Sequence, residues 1–263
     1  MRMKNATLKQ SLLAATLAAT GLLSLPVLAQ ETHPDAVQLL VDRGVTIAAT
    51  FDGPGGITGY VGSMQGGPVA FYLTPDKKHV IVGNLLNDSG ENLTMPKIQE
   101  LVLGPQNEKA WVEIEASNWL RDGDADAPVI VYTFTDPNCP FCHRFRNAAK
   151  PWIDAGKVQL RHVMVGILAQ DSLPKAATIL GSGDPAMALK ENLQNHDKGG
   201  IEVDRKVVSA NAKKIRENNQ LMSSLGLSAT PSTYFKNSDG SIGMKQGAPR
   251  PADMEAIMGS PKP

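Results

Sequence analysis

Pro128-Val129-Ile130-Val131-Tyr132-Thr133-Phe134-Thr135 runs directly into Asp136-Pro137-Asn138-Cys139-Pro140-Phe141-Cys142, and the junction of these two stretches decides the fold. The first stretch is too apolar for a strand with one wet face and suits the buried centre of a sheet. Beyond Cys142, the residues Phe145, Ala148, Ala149, Trp152 and Ile153 recur at helical spacing, with Pro151 placed to kink the helix and Gly156 to end it. Cys139 therefore stands where a central strand stops and a helix starts.

Working outward toward the C-terminus, Lys157 to Val165 reads as the next strand, and residues 172–225 as mainly helical, interrupted at Gly181, Gly183 and Gly199-Gly200. Ser232 to Phe235 returns to strand, a turn at Asn237 to Gly240 leads to a short strand at Ile242 to Met244, and a helix from Ala252 to Met258 closes the block. Upstream, Leu93 to Trp119 reads as a helical connector with a break at Gly104-Pro105, because proline lacks the amide hydrogen and disfavours helix at the preceding residue. Before that, Pro34 to Arg43 predicts a short helix stopped by Gly44. Strands follow at Val45 to Phe51, Ile57 to Val61, Val69 to Leu73 and His79 to Val82, the last after the turn Thr74-Pro75-Asp76-Lys77. A sheet this small leaves an edge and an apolar face that a second copy of the chain would cover.

The 263 residues fit two domains better than one, and a chain with 20% charged and 42% hydrophobic residues has ordinary globular composition. Residues 1–29 have the pattern of an export signal. Arg2, Lys4 and Lys9 precede an apolar run from Leu12 to Leu25, and Val27-Leu28-Ala29 offers small residues for cleavage after Ala29. That run falls short of the ~20 apolar residues that span a bilayer. The signal holds three of the 26 basic residues and none of the 26 acidic ones, so the mature chain is mildly acidic. With no basic run or aromatic-basic stripe, nucleic acid is not an expected partner.

Export leads to a compartment where disulfides persist, yet the sequence holds only two cysteines, separated by two residues. A bridge across so short a loop removes little unfolded-chain entropy, so the pair points to chemistry rather than to stapling. Unpaired amides and the helix dipole at the helix start favour a thiolate at Cys139, whereas Cys142, one turn in, is expected to be more shielded and to stay a thiol. Cys139 would attack and Cys142, on the same helix face, would resolve the mixed disulfide. Pro140 suits the first helical turn. Phe141 is either an apolar surface for a substrate chain or plain packing, and His143 either tunes the charge beside the pair or faces solvent. The competing reading, half of a structural zinc site, lacks a second cysteine pair and any His-x3-His spacing among His33, His79, His143, His162 and His196. No metal or other cofactor is expected. Thr230-Pro231, just before the strand at Ser232, could be an ordinary turn or a cis bond.

These residues carry a resemblance. Phe51-Asp52-Gly53-Pro54-Gly55-Gly56, Tyr72-Leu73-Thr74-Pro75-Asp76, Asp126-Ala127-Pro128-Val129-Ile130-Val131-Tyr132 and Cys139-Pro140-Phe141-Cys142 together resemble the periplasmic DsbC/DsbG disulfide isomerases of the thioredoxin superfamily, the DsbG branch most of all. The resemblance implies a mixed α+β and α/β chain: signal peptide 1–29, small antiparallel-sheet dimerisation domain 30–92, helical linker 93–118, and thioredoxin-like catalytic domain with a helical insertion 119–263. It makes Thr230-Pro231 the cis-proline loop beside the redox pair, so that Pro140, Phe141, Thr230 and Pro231 would meet substrate around Cys139 and Cys142. It further implies a V-shaped homodimer in the periplasm, reduced by a membrane thiol reductase resembling DsbD. Its clients would be unfolded or cysteine-oxidised exported proteins, sulfenic acids included. A holdase chaperone with secondary redox activity and a DsbA-like dithiol oxidase are the alternatives. The sequence departs from the family at Phe141, where DsbG commonly has tyrosine. Position 133 is threonine, where thioredoxins and DsbA-like oxidases bury a carboxylate, so a solvent route or another acid must move protons.

Overall fold

The computed structural model describes residues 33–263; the expected export signal lies outside them. Helix α1 (Asp35–Val41) is followed at Gly44 by a left-handed turn, φ +94°, that a side chain would strain. Strands β1 (Val45–Asp52), β2 (Thr58–Met64), β3 (Gly67–Leu73) and β4 (Val80–Val82) then form an antiparallel sheet in chain order. Tyr60 and Phe71 face each other across β2 and β3, stack with centroids 4.9 Å apart, and pack with Val37, Val45 and Leu73 under α1. Edge strand β4 is only three residues long and leaves Ile81 57% and Val82 67% exposed.

The expected break at Gly104-Pro105 does not occur. Helix α2 (Thr94–Ile98) continues through one π-helical turn at Gln99–Leu103 into α3 (Gly104–Glu115). The wide turn lets the Gly104 N–H reach the Gln99 carbonyl, five residues back, and relieves the crowding that the Pro105 ring would cause in a regular turn. A Cβ on residue 104 would lie 3.0 Å from that carbonyl oxygen, which favours glycine there. One helical run thus serves two cores: Ile98 and Val102 pack on Val61 and Ala70 of the first sheet, while Ala110, Trp111 and Ile114 pack on Tyr132, Phe134 and Tyr234 of the second.

The second sheet has the order β5 (Trp119–Asp122), β7 (Val158–Met164), β6 (Val129–Thr135), β8 (Ser232–Lys236), β9 (Ile242–Gln246). The apolar strand read from sequence is its centre, parallel to β7 and antiparallel to β8. Edge strand β5, antiparallel to β7, went unread. Helices α4 (Pro140–Asp154) and α8 (Met254–Met258) cover one face, where Phe145, Ala149 and Trp152 meet Val131, Val158, Leu160, Ile257 and Met258. Helix α4 runs through Pro151 without interruption. The insertion, α5 (Ser172–Leu180), α6 (Pro185–Gln194) and α7 (Arg205–Ser224), has its own core of Ala176, Ile179, Leu189 and Ile215 against Leu120 and Met164.

Candidate active site

Strand β6 delivers the chain to α4 through a junction held by one buried carboxylate. Asp136, 1% exposed, accepts hydrogen bonds from the amides of Asn138 (2.9 Å), Ile167 (2.8 Å) and Leu168 (3.0 Å) and from the Ser172 hydroxyl (2.8 Å). With four donors in place the burial of this side chain is compensated, and the turn that aims Cys139 is fixed. Cys139 is the N-cap of α4 in extended conformation (φ −80°, ψ 113°), Pro140 fills the first turn, and the Cys142 N–H donates to the Cys139 sulfur at 3.3 Å.

The Thr230–Pro231 bond is cis, and the loop lies against the pair: the Cys139 thiol donates to the Thr230 carbonyl at 3.3 Å across 91 residues of sequence. The Thr230 hydroxyl is buried without a hydrogen-bond partner. The Cys142 thiol and the backbone at Cys142 and Phe141, with Thr230 beside them, stabilise the Cys139 thiolate and lower its pKa from 9.0 to about 6, against the opposing effect of burial. Burial, followed by the neighbouring Cys139 sulfur, raises Cys142 well above the ordinary thiol value. The two sulfurs are equally hidden from solvent, Cys139 2% and Cys142 3% exposed, but Cys142 lies deeper, as the sequence suggested: burial dominates there, whereas hydrogen bonds outweigh it at Cys139.

Pro140 and Phe141 are exposed beside the pair, Phe141 by 47%, and the Arg144 guanidinium lies 4.3 Å from the Phe141 ring centre. Phe141, Arg144, Ala148, Trp152, Pro249 and Met254 line an open groove of about 480 Å³. His143 is half-buried and stacks on His196 of the insertion with centroids 4.8 Å apart; burial, then His196, lowers its pKa. The sequence had offered His196 only as a poor metal ligand, and nothing local marks its stacking across 53 residues. Thr133 is fully buried and receives a hydrogen bond from the Thr233 hydroxyl at 3.4 Å.

A cysteine-capped helix on a central strand, with a cis-proline loop against its sulfurs, defines a thioredoxin-like thiol–disulfide oxidoreductase. Residues 123–260 match the family model of the thioredoxin-like domain, and residues 28–95 that of the disulfide bond isomerase protein N-terminal domain. The thiol:disulfide interchange protein DsbG of Pseudomonas aeruginosa is 41% identical over 88% of this chain and 90% of its own. The protein of the same name from Escherichia coli is 40% identical over 90% of this chain and 96% of its own. The chain belongs to the DsbG family of thiol:disulfide interchange proteins, and its enzymatic activity is disulfide exchange.

Proposed function

We propose that this enzyme works in the periplasm as a disulfide isomerase and reductase, with Cys139 as the attacking thiolate and Cys142 as the resolving thiol. The supporting observation is the opposite displacement of two thiols three residues apart, one to about 6 and the other upward. At neutral pH Cys139 is then ionised and nucleophilic, while Cys142 holds its proton until the mixed disulfide has formed. The same attack on a sulfenic acid forms the mixed disulfide with loss of water, and Cys142 then releases the reduced client.

The reductive direction is favoured over the oxidase reading by kinship: residues 28–95 match the N-terminal domain of disulfide bond isomerase proteins, and the two relatives are DsbG proteins. Work in this direction calls for a membrane thiol reductase of the DsbD kind as electron donor. The apolar edge at Ile81 and Val82 supports assembly as a homodimer through the first sheet, residues 30–92, joined by 93–118 to the catalytic residues 119–263. Phe141 and the groove beside it would receive an extended client segment, with Thr230 and Pro231 opposite.

Replacing Cys142 with Ala tests the assignment. The variant is expected to accumulate mixed disulfides between Cys139 and exported proteins, and mass spectrometry identifies both partners. Clients captured at no cysteine, together with a wild-type pair that alkylation finds mainly oxidised in cells, would overturn the reductive reading.

A further inference from the structure

The interface between α4 and its sheet changes character along its length. Val131 of β6 and Val158 and Leu160 of β7 lie in the apolar cluster beneath α4. Strand residues two apart share a face, so Thr133 and Thr135 of β6 and His162 of β7 continue that row toward the start of α4. Cys142 precedes Phe145 and Ala149 by three and seven residues, on the same buried side of the helix. The apolar floor thus turns polar under the resolving cysteine.

Its one buried imidazole is His162, 1% exposed and register partner of Thr133. Its Nδ1 lies 2.8 Å from the Thr135 hydroxyl, and its Nε2 has no hydrogen-bond partner but faces the Asp122 carboxylate at 3.6 Å. Arg146, one turn beyond Cys142, grips Asp122 with two hydrogen bonds of 2.7 and 3.0 Å. Although burial opposes ionisation, His162 and Arg146 hold Asp122 well below the usual carboxylate range, so a fixed negative charge faces the imidazole. The backbone at Asp136, next to Thr135, lies beside Cys142 and favours its ionised form. Among the described residues, the charged and titratable groups facing His162 are Asp122 from β5, with its partner Arg146 from α4, and Cys142 stands over the same polar floor, while β6 contributes hydroxyls.

We propose that His162 is a positioning residue for the proton of Cys142, which it takes up through the Thr135 hydroxyl as the mixed disulfide is resolved. This rests on the reading of Cys142 as the resolving thiol. Cys142 gives up its proton toward His162, and the resulting imidazolium closes on Asp122. The Cys142 thiolate attacks the Cys139 sulfur. The Cys139–client S–S bond breaks as the Cys139–Cys142 bond forms, and the client sulfur leaves with the electron pair and collects a proton, so that two electrons pass from the dithiol to the client. An imidazole on the neighbouring strand, paired with a carboxylate, thereby supplies the buried proton acceptor that Thr133 cannot.

The test starts from a preformed mixed disulfide between Cys139 and a peptide thiol, in which Cys139 no longer titrates, and follows peptide release from pH 5 to 9.5. In the wild type, release is expected to rise with pH and then level off. His162→Gln should be slower by at least about tenfold at pH 7, within the range of general base catalysis, with log rate climbing steadily and the deficit shrinking toward pH 9.5. Thr135→Val, which keeps the imidazole, should show the same profile in weaker form. If His162→Gln fails to fold, ¹⁵N-histidine NMR of the wild type decides, because His162 should bind protons differently in the dithiol and disulfide forms. A deficit equal at every pH, profiles that superimpose on the wild type, or an unchanged His162 signal would overturn the proposal. Cys142→Ala is the control: peptide release at the wild-type rate there would refute the resolving role of Cys142 itself.

Discussion

Helices α4 and α7 begin with the same backbone and end up doing different things. Asp204 caps α7 at φ −89°, ψ 106°, its carboxylate accepting from the amides of Lys206 at 2.8 Å and Val207 at 3.2 Å. Cys139 caps α4 at φ −80°, ψ 113°, its sulfur accepting from the Cys142 amide at 3.3 Å. Both positions place a side-chain acceptor against unpaired amides at the positive end of a helix dipole. A solvent-exposed aspartate such as Asp204 is already ionised at neutral pH without the cap, so the interaction appears as helix stability. A cysteine is not, so the same interaction appears as a lowered pKa and a reactive thiolate. Capping and nucleophile activation are one interaction with two readouts, and the identity of the capping atom selects between them.

Cys139→Ser breaks the comparison most sharply. Serine is a good N-cap and should keep α4 in place, so below pH 6, where the Cys139 thiolate adds little stability, the urea midpoint should hardly move. The nucleophile is gone, and reduction of a disulfide reporter should fall to the rate without enzyme. Catalysis that survives would place the attacking sulfur elsewhere. The linked pH dependence is the next largest effect. Cys139 titrates at about 6 in the folded dithiol and near the ordinary 9.0 when unfolded. Between these values the unfolded chain binds more protons, so the dithiol form gains stability as pH rises from 6 to 9 and loses it as pH falls back through 6. Above 9 the raised Cys142 acts in the opposite sense, because the folded chain then holds a proton that the unfolded chain has released. The disulfide form has neither thiol. Urea titrations of both forms should therefore diverge from pH 6 to 9, and parallel curves would mean that Cys139 is an ordinary thiol.

What could be read from sequence depended on how local the signal was. The central strand was legible because Val129 to Thr135 is apolar on both faces, and the helix start because proline, cysteine spacing and the amphipathic row after Cys142 are adjacent in the chain. Strand β5 was not, since Trp119–Asp122 alternates poorly and only Leu120 is buried there. The π-turn was hidden too: Pro105 announces a missing donor, but not that the Gly104 N–H would reach past the regular partner to Gln99. At the site, the two cysteines and Thr230-Pro231 stood out as short motifs. The Asp122, Arg146 and His162 cluster did not, because its members come from three elements and meet only through the strand order β5, β7, β6. One trace of it was visible: Thr133, Thr135 and His162 break the apolar rows that Val129 and Val131 begin on β6 and Val158 and Leu160 on β7.

The smallest effect sharpens the comparison from the other helix. Asp204→Ala removes an acceptor for two amides at the start of α7 and should cost about 1 kcal/mol of stability. Because α7 buries Ile215 in the insertion core and Met222 against the catalytic sheet, the loss should register as cooperative unfolding of the fold rather than as local fraying. Asp204 makes none of the contacts that set the Cys139 thiolate, so the rate of Cys139 alkylation against pH should overlay the wild type. A cap that carries no chemistry would then shift the urea midpoint alone. If Asp204→Ala also moved the alkylation profile, the two helix starts would be coupled through the insertion, and reactivity at α4 could not be credited to its own cap.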